Sequence, residues 1–248
     1  MPDARPYIPD EPGNKAQFTY VRLGALLTWI MPLCFDLDGT LGTFGGGYVL
    51  LREALGEIWG TAPTFEELRA CTGSTDWEIV DELHRSRFGT GLENHAYEEF
   101  GAACLMRFRT TFHPEGKLPV AFQGIIEGLH HLAESGHAIW LVSGNVPLVL
   151  DFKAEFLCID KHVHRLGSLP GCNRADLIRM AMQDHSGPHL YVGDRPHDRE
   201  AASEAGVPFL GIGDAVPGDH PMLSVEAEAE HLVATIERII LQRDLPYS

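Results

Sequence analysis

Lysine is nearly missing from this chain: Lys15, Lys117, Lys153 and Lys161 are all of it in 248 residues. Against 35 aspartates and glutamates stand only 19 lysines and arginines, a formal net charge of −16. That balance excludes nonspecific nucleic-acid binding, which rests on cationic side chains neutralising phosphates. It also obliges any anionic substrate to find a local cationic spot in a repulsive field. Cysteine is sparse too. Five residues, an odd number with no CxxC pair, spell neither a disulfide framework nor a zinc site. Cys34 reads as a small buried strand residue rather than a reactive thiol. The 13 histidines show no HExxH spacing and receive no metal role. The apolar stretch Leu23 to Ile30 is too short for a bilayer. A positive start followed by a small-residue cleavage site is not clear either. A reducing cytoplasm is the expected setting, with no membrane partner and no nucleic-acid partner. No feature sets an oligomeric state.

What is present is ordinary for a globular protein, 44% hydrophobic and 22% charged, and long enough for a large core with a smaller insert. The stretch that organises it is Leu33-Cys34-Phe35-Asp36-Leu37-Asp38-Gly39-Thr40-Leu41. An apolar run delivers two aspartates, one residue apart, onto a strand-breaking glycine. Side chains alternate along a strand, so Asp36 and Asp38 can face the same way at its exit. Two carboxylates so close repel unless a cation or a shared proton relieves them. The pair therefore points to a hard-metal site, a nucleophile, or both. Gly39 and Thr40 then offer N–H groups and a hydroxyl to phosphate oxygens. A calcium loop counted from Asp36 would need an acid at its twelfth position and meets Gly47 instead.

The segment FDLDGTL resembles the first motif of the haloacid-dehalogenase-like phosphohydrolases, DxDGT after a strand. The rest of the chain fits that frame. Residues 1–30 open with Pro2, Pro6, Pro9 and Pro12 and make poor helix or strand material. They are expected to be a dispensable extension, or the product of a start called too early. Gly42 to Gly47 reads as a hinge. From there to about Pro119 the periodicity is helical: Leu51, Leu55, Ile58 and Trp59 on one face, then a capping box at Thr64 and Glu67. Ile79, Val80 and Leu83 mark a third helix, and Tyr97, Phe100, Cys104 and Phe108 a fourth. The expected organisation is a catalytic core from residues 31–45 and 120–248 with a helical cap at 46–119.

From residue 121 helix and strand alternate. Ile125, Ile126, Leu129 and Leu132 line a helix that Gly136 ends. Ala138 to Val142 is a strand buried on both faces, and Pro147 opens the next helix. Val163 to Leu166 is a weaker strand, and Asn173 caps a helix carrying Leu177, Ile178 and Ala181 inward. His189 to Val192 is a strand, a helix runs from about Arg199 to Gly206, Phe209 to Ile212 is a strand, and Val225 to Leu241 closes the chain as a helix. Such repeats predict an α/β fold, a doubly wound parallel sheet with its site at the C-terminal strand edge and a small all-helical cap.

The resemblance assigns roles along that edge. Ser143, with Gly144 and Asn145, matches the second motif and would bind a phosphate oxygen. The third motif asks for a cation, normally lysine, near the next helix start. None of the four lysines stands there, but Arg174 does. An arginine at a helix N-terminus opposes the dipole, which favours a functional reading. Gly193-Asp194-Arg195-Pro196-His197-Asp198 matches the fourth, acidic motif. The implied chemistry is two-step phosphoryl transfer: Asp36 attacks phosphorus, and Asp38 protonates the leaving oxygen and then activates water. Magnesium would be held by Asp36, the Asp38 carbonyl and Asp194. Asp198 would stand behind the metal or orient Arg174. Substrate contacts would come from Gly39, Thr40, Ser143, Gly144, Asn145, Arg174 and the cap residue Thr75. Thr75 lies in Thr72-Gly73-Ser74-Thr75-Asp76, which also reads as a helix N-cap.

The expected function is magnesium-dependent hydrolysis of a small phosphorylated metabolite. Asp38 argues against dehalogenation, because a halide leaving group needs no acid. A phosphomutase shares every core residue and stays an alternative, as does a silent phosphate- or metal-binding module. Thr43 replaces the acidic residue usual shortly after the first motif, which weakens transfer of any particular substrate, phosphoglycolate included.

Overall fold

The computed structural model describes residues 20–23, 26–29, 32–183 and 189–243. Most of the proposed N-terminal extension, including its prolines, lies outside the described residues. Within it, β1 (Tyr20–Leu23) and β2 (Leu26–Trp29) form an antiparallel pair. The core begins at β3 (Pro32–Phe35), followed by β4 (Gly42–Thr43). Four helices come next: α1 (Gly47–Trp59), α2 (Phe65–Ala70), α3 (Asp76–Phe88) and α4 (Asn94–Thr111). The chain returns through β5 (Val120–Ala121). Then α5 (Gln123–Glu134), β6 (Ala138–Val142), α6 (Pro147–Phe156), β7 (His164–Leu166) and α7 (Arg174–Met182) alternate. The last elements are β8 (Leu190–Gly193), α8 (Pro196–Ala205), β9 (Phe209–Ile212), β10 (Met222–Leu223) and α9 (Ala229–Arg243).

Six strands form a parallel sheet in the order β10-β9-β8-β3-β6-β7. Parallel strands need crossover helices, which cover both faces and demand strands apolar on both sides. The alternation in β3 shows this directly. Leu33 and Phe35 join one apolar cluster with Leu129 of α5 and Leu232 of α9, whereas Cys34 joins another with Ile178 of α7 and Ala202 of α8. All three β3 residues are fully buried. Successive strands leave β3 on opposite sides, so the crevice at its C-terminal end is where a doubly wound sheet places a ligand.

Helices α1 to α4 form an insert between β4 and β5. Both capping boxes are present in it, Thr64 with Glu67 and Thr75 with Glu78. The two crossings between core and insert are stitched together, because β4 pairs antiparallel with β5, Gly42 opposite Ala121 and Thr43 opposite Val120. Two helix starts differ from expectation by several residues. Helix α8 starts at Pro196 rather than near Arg199, since proline fits a first helical position. Helix α9 starts at Ala229 rather than Val225, because Met222 and Leu223 add an edge strand beside β9.

Candidate active site

The end of β3 fixes the first carboxylate. The Asp36 N–H donates to the Val192 carbonyl of β8 at 2.8 Å, which seats Asp36 between two strand ends, 5% exposed. The chain then turns tightly, with Leu41 N–H donating to the Leu37 carbonyl and Gly39 N–H to the Gly42 carbonyl. Gly39 has φ +90°, and a Cβ there would lie 2.1 Å from Asp194 Oδ2. Only glycine permits that turn and that approach. Fully buried Thr40 donates from its hydroxyl to Asp194 Oδ1 at 3.4 Å.

Strand β6 delivers Ser143, 1% exposed, and Asn145 beyond it. The Asn145 amide donates to Ser143 Oγ and to Asp38 Oδ2, each at 2.7 Å. Ser143 thus accepts from Asn145 and keeps its hydroxyl proton for another oxygen. Arg174 opens α7 behind its N-cap, Asn173, and reaches inward from there. One guanidinium nitrogen donates to Asp36 at 2.9 Å, to Asp198 at 2.8 Å and to the Tyr191 hydroxyl at 3.2 Å. The other donates to the Ser74 carbonyl of the insert at 2.9 Å. Such a fork is what arginine provides and lysine does not.

Asp198, fully buried, divides its oxygens: Oδ1 meets Arg174, and Oδ2 accepts the N–H groups of Asp194 at 3.2 Å and Arg195 at 3.0 Å. Asp36, Asp194 and Asp198 each bring an oxygen within 4.8 Å of the others. Burial, then the Asp198 charge, pushes the Asp36 carboxyl well above its usual range, with Arg174 opposing. Burial and Asp198 likewise raise Asp194 to about 6. With Asp38 these are four carboxylates, while Arg174 and Lys153 supply the buried cations paired to them. That donor set, all hard oxygens with an excess of negative charge, fits a divalent cation. Both oxygens of Asp198 are taken by close partners. Among the described residues, Asp194 has only the long contacts from Thr40 at 3.4 Å and Arg195 at 3.6 Å, and Asp36 engages Arg174 through one oxygen alone.

The insert is docked on this edge. Asp76 N–H donates to the Gly144 carbonyl at 2.7 Å, and Asp76 Oδ2 accepts the Val146 N–H at 2.8 Å. Trp77 N–H donates to Ser168 Oγ at 2.9 Å. Gly144 is necessary to this seam, because a Cβ there would fall 2.6 Å from the Ser74 carbonyl and 2.7 Å from Arg174. Thr75 is 1% exposed, its hydroxyl caps α3 with Glu78, and it lines the cleft beside Gly144. The cleft between insert and core encloses about 450 Å³ and is lined by Asp36, Asp38, Ser143, Asn145 and Arg174 below and by Phe108 and Ile79 above.

Sequence reasoning missed Lys153. It is 2% exposed, and its ammonium donates to Asp38 Oδ2 at 2.5 Å and to Asn145 Oδ1 at 2.7 Å. The signal was there. On α6 the buried positions are Val149, Leu150, Lys153 and Ala154, a lysine on the apolar stripe. Asp76 and Ser168, which dock the insert, were equally invisible as partners. Each lies far in sequence from what it touches.

Comparison with known proteins agrees with this geometry. The sequence profile of the haloacid dehalogenase-like hydrolases matches residues 33–212. No curated protein matches the chain. Among solved structures, a predicted phosphoglycolate phosphatase from Haemophilus somnus superposes with a TM-score of 0.55 at 18% identity, covering 83% of this chain and 98% of that one. A hydrolase from Pseudomonas syringae gives 0.60 at 17% identity, covering 84% and 99%. CbbY from Rhodobacter sphaeroides, solved with phosphate, gives 0.55 at 16% identity, covering 79% and 95%. At these identities the likeness establishes a shared fold.

Proposed function

Since the chain belongs to the haloacid dehalogenase-like hydrolases, we propose that it is a magnesium-dependent phosphatase acting on a small phosphate monoester. The observation that carries this reading is the convergence of Asp36, Asp38, Ser143 and Arg174 on one cleft at the C-terminal edge of β3 and β6. Asp36, held by Arg174 beneath the cleft, is the nucleophile, and it becomes an aspartyl phosphate as the phosphorus–oxygen bond to the leaving group breaks. Asp38, two residues on and 33% exposed at its side chain, gives a proton to the departing oxygen and then takes one from a water that attacks phosphorus, breaking its bond to Asp36 and releasing inorganic phosphate. Ser143, Gly144, Asn145 and the turn at Gly39 and Thr40 offer donors to the remaining phosphate oxygens. Thr75 and its loop close the cleft from the insert.

Asp36, the Asp38 carbonyl and Asp194 would hold the magnesium, which when bound offsets the repulsion between carboxylate and phosphate. Arg174 does the same from the other side, while Asp198 fixes its orientation. Residues 31–45 and 120–248 act as the catalytic core and 46–119 as the cap that excludes water. No helix among the described residues is long and apolar enough to cross a membrane.

The test is inorganic phosphate release from a panel of small phosphate esters with magnesium, run beside Asp36→Asn. Release from wild type that disappears in the variant is expected. Equal release from both would overturn the assignment of the nucleophile. Calcium in place of magnesium should inhibit, because its larger and looser shell suits an octahedral site poorly.

A further inference from the structure

We propose that Lys153 is a positioning residue for Asp38, and that it ties the orientation of that carboxylate to docking of the helical insert. The kinetic part of this inference rests on the phosphatase reading above.

Asp38 stands at the mouth of the cleft with its side chain 33% exposed, and an aspartate in that setting has rotamer freedom to lose. Two donors grip it, the Lys153 ammonium at 2.5 Å and the Asn145 amide at 2.7 Å, and both fall on Oδ2. Oδ1 is thereby the oxygen presented to the cleft, where a leaving group needs its proton. Lys153 also donates to Asn145 Oδ1 at 2.7 Å, which sets the Asn145 amide so that its nitrogen faces Asp38 and Ser143. A single ammonium thus aligns the acid–base group and the amide beside the phosphate-binding serine.

The link to the insert comes from what surrounds the ammonium. Its nitrogen lies 4.7 Å from the Phe108 ring centroid and 5.3 Å from that of Phe44. Phe108 belongs to α4, and Phe44 to the segment joining core and insert. The two rings pack edge to face at 6.5 Å. Aromatic faces attract a desolvated cation. When α4 is down, the ammonium has two oxygens on one side and two rings on the other, with water excluded. Once α4 lifts, Lys153 loses one ring and gains water, and its hold on Asp38 weakens. Asp38 is therefore correctly aimed only in the sealed cleft, where a proton donated to a leaving group is not lost to solvent.

A merely structural lysine and a positioning lysine differ in how loss depends on the leaving group. An alkyl phosphate needs protonation of its departing oxygen, whereas p-nitrophenyl phosphate hardly does. Lys153→Met keeps length and suits the aromatic surroundings. It is expected to lower kcat on an alkyl ester about 100-fold, in line with loss of general acid catalysis, and on p-nitrophenyl phosphate less than about 10-fold. KM should stay within about threefold, and Lys153→Arg should regain part of the loss. Equal losses on both esters, or none, would overturn the inference.

A second arm needs no turnover. Thermal unfolding of Lys153→Met, Asp38→Asn and the double variant should show strong coupling, each single change costing more than its share of the double. Additive shifts would overturn the pairing. If wild type releases phosphate from neither ester, the phosphatase reading fails, and this coupling decides the pairing by itself.

Discussion

Arg174, a side chain of the core, donates to the Ser74 carbonyl of the insert at 2.9 Å. The same guanidinium neutralises the Asp36 carboxylate, also at 2.9 Å. Docking of the insert and charge compensation at Asp36 therefore share one group. Under the proposed function, a substrate phosphate arriving at Asp36 would meet a cation already held in place by three carboxylate and carbonyl contacts, leaving little reorganisation to the reaction itself.

Arg174→Ala should cost at least about 100-fold in kcat/KM, the scale of losing a fixed electrostatic donor. It should also lower stability by roughly 3 kcal/mol, because Asp36 and Asp198 remain buried without their cation. Arg174→Lys, which keeps the charge and loses the fork, should retain part of both. Steady-state kinetics and thermal unfolding check this, and an active, undiminished Arg174→Ala would remove the residue from the site.

Gly39→Ala should abolish activity while leaving secondary structure intact. The added methyl would strike Asp194 and hold a backbone at φ +90° that alanine avoids, a strain of about 1–3 kcal/mol. Circular dichroism with a phosphate-release assay separates the two effects. Retained activity would show that Asp194 can retreat without consequence.

Ser168→Ala removes the oxygen that accepts the Trp77 N–H across the seam. Docking of the insert should weaken by about 1 kcal/mol, the worth of an ordinary hydrogen bond. Amide exchange at residues 75–79 should accelerate several-fold, with the core strands unaffected. Unchanged protection there would mean that the other seam contacts suffice.

Asp76 carries a pH signature. Its carboxyl is pushed up to about 6 by burial, against the opposing effects of the Val146 N–H and Lys153, from an ordinary value of 3.8. Between those values the folded protein binds more protons than the unfolded chain. The contribution of Asp76 to stability is therefore full below the lower value and is lost as pH rises through about 6. Asp76→Asn cannot titrate, so the stability of wild type relative to this variant should fall across that window, by on the order of 3 kcal/mol. A difference independent of pH would contradict the raised value.

What could be read in the sequence was whatever is local. The two aspartates at Asp36 and Asp38, the serine at a strand exit and the acidic run at Asp194 each announce themselves within a few residues, and the alternation of apolar runs gave the sheet. Arg174 was legible because a helix start is a local feature, although its four partners come from four separate segments. Lys153 was not, since its partner Asp38 lies 115 residues away and only burial on α6 betrays it. The two-residue strands β4, β5 and β10 fall below the length at which periodicity means anything.

The short ladder of β4 with β5 governs more than its size suggests. Two separate tethers would let the insert twist and slide over the core, but tethers zipped side by side behave as one pivot. A joint of that kind favours one hinge direction for the insert over free rotation about either strand. In the phosphatase proposed above, every ester would then enter through the same opening, and how nearly the door shuts behind it would sort one from another.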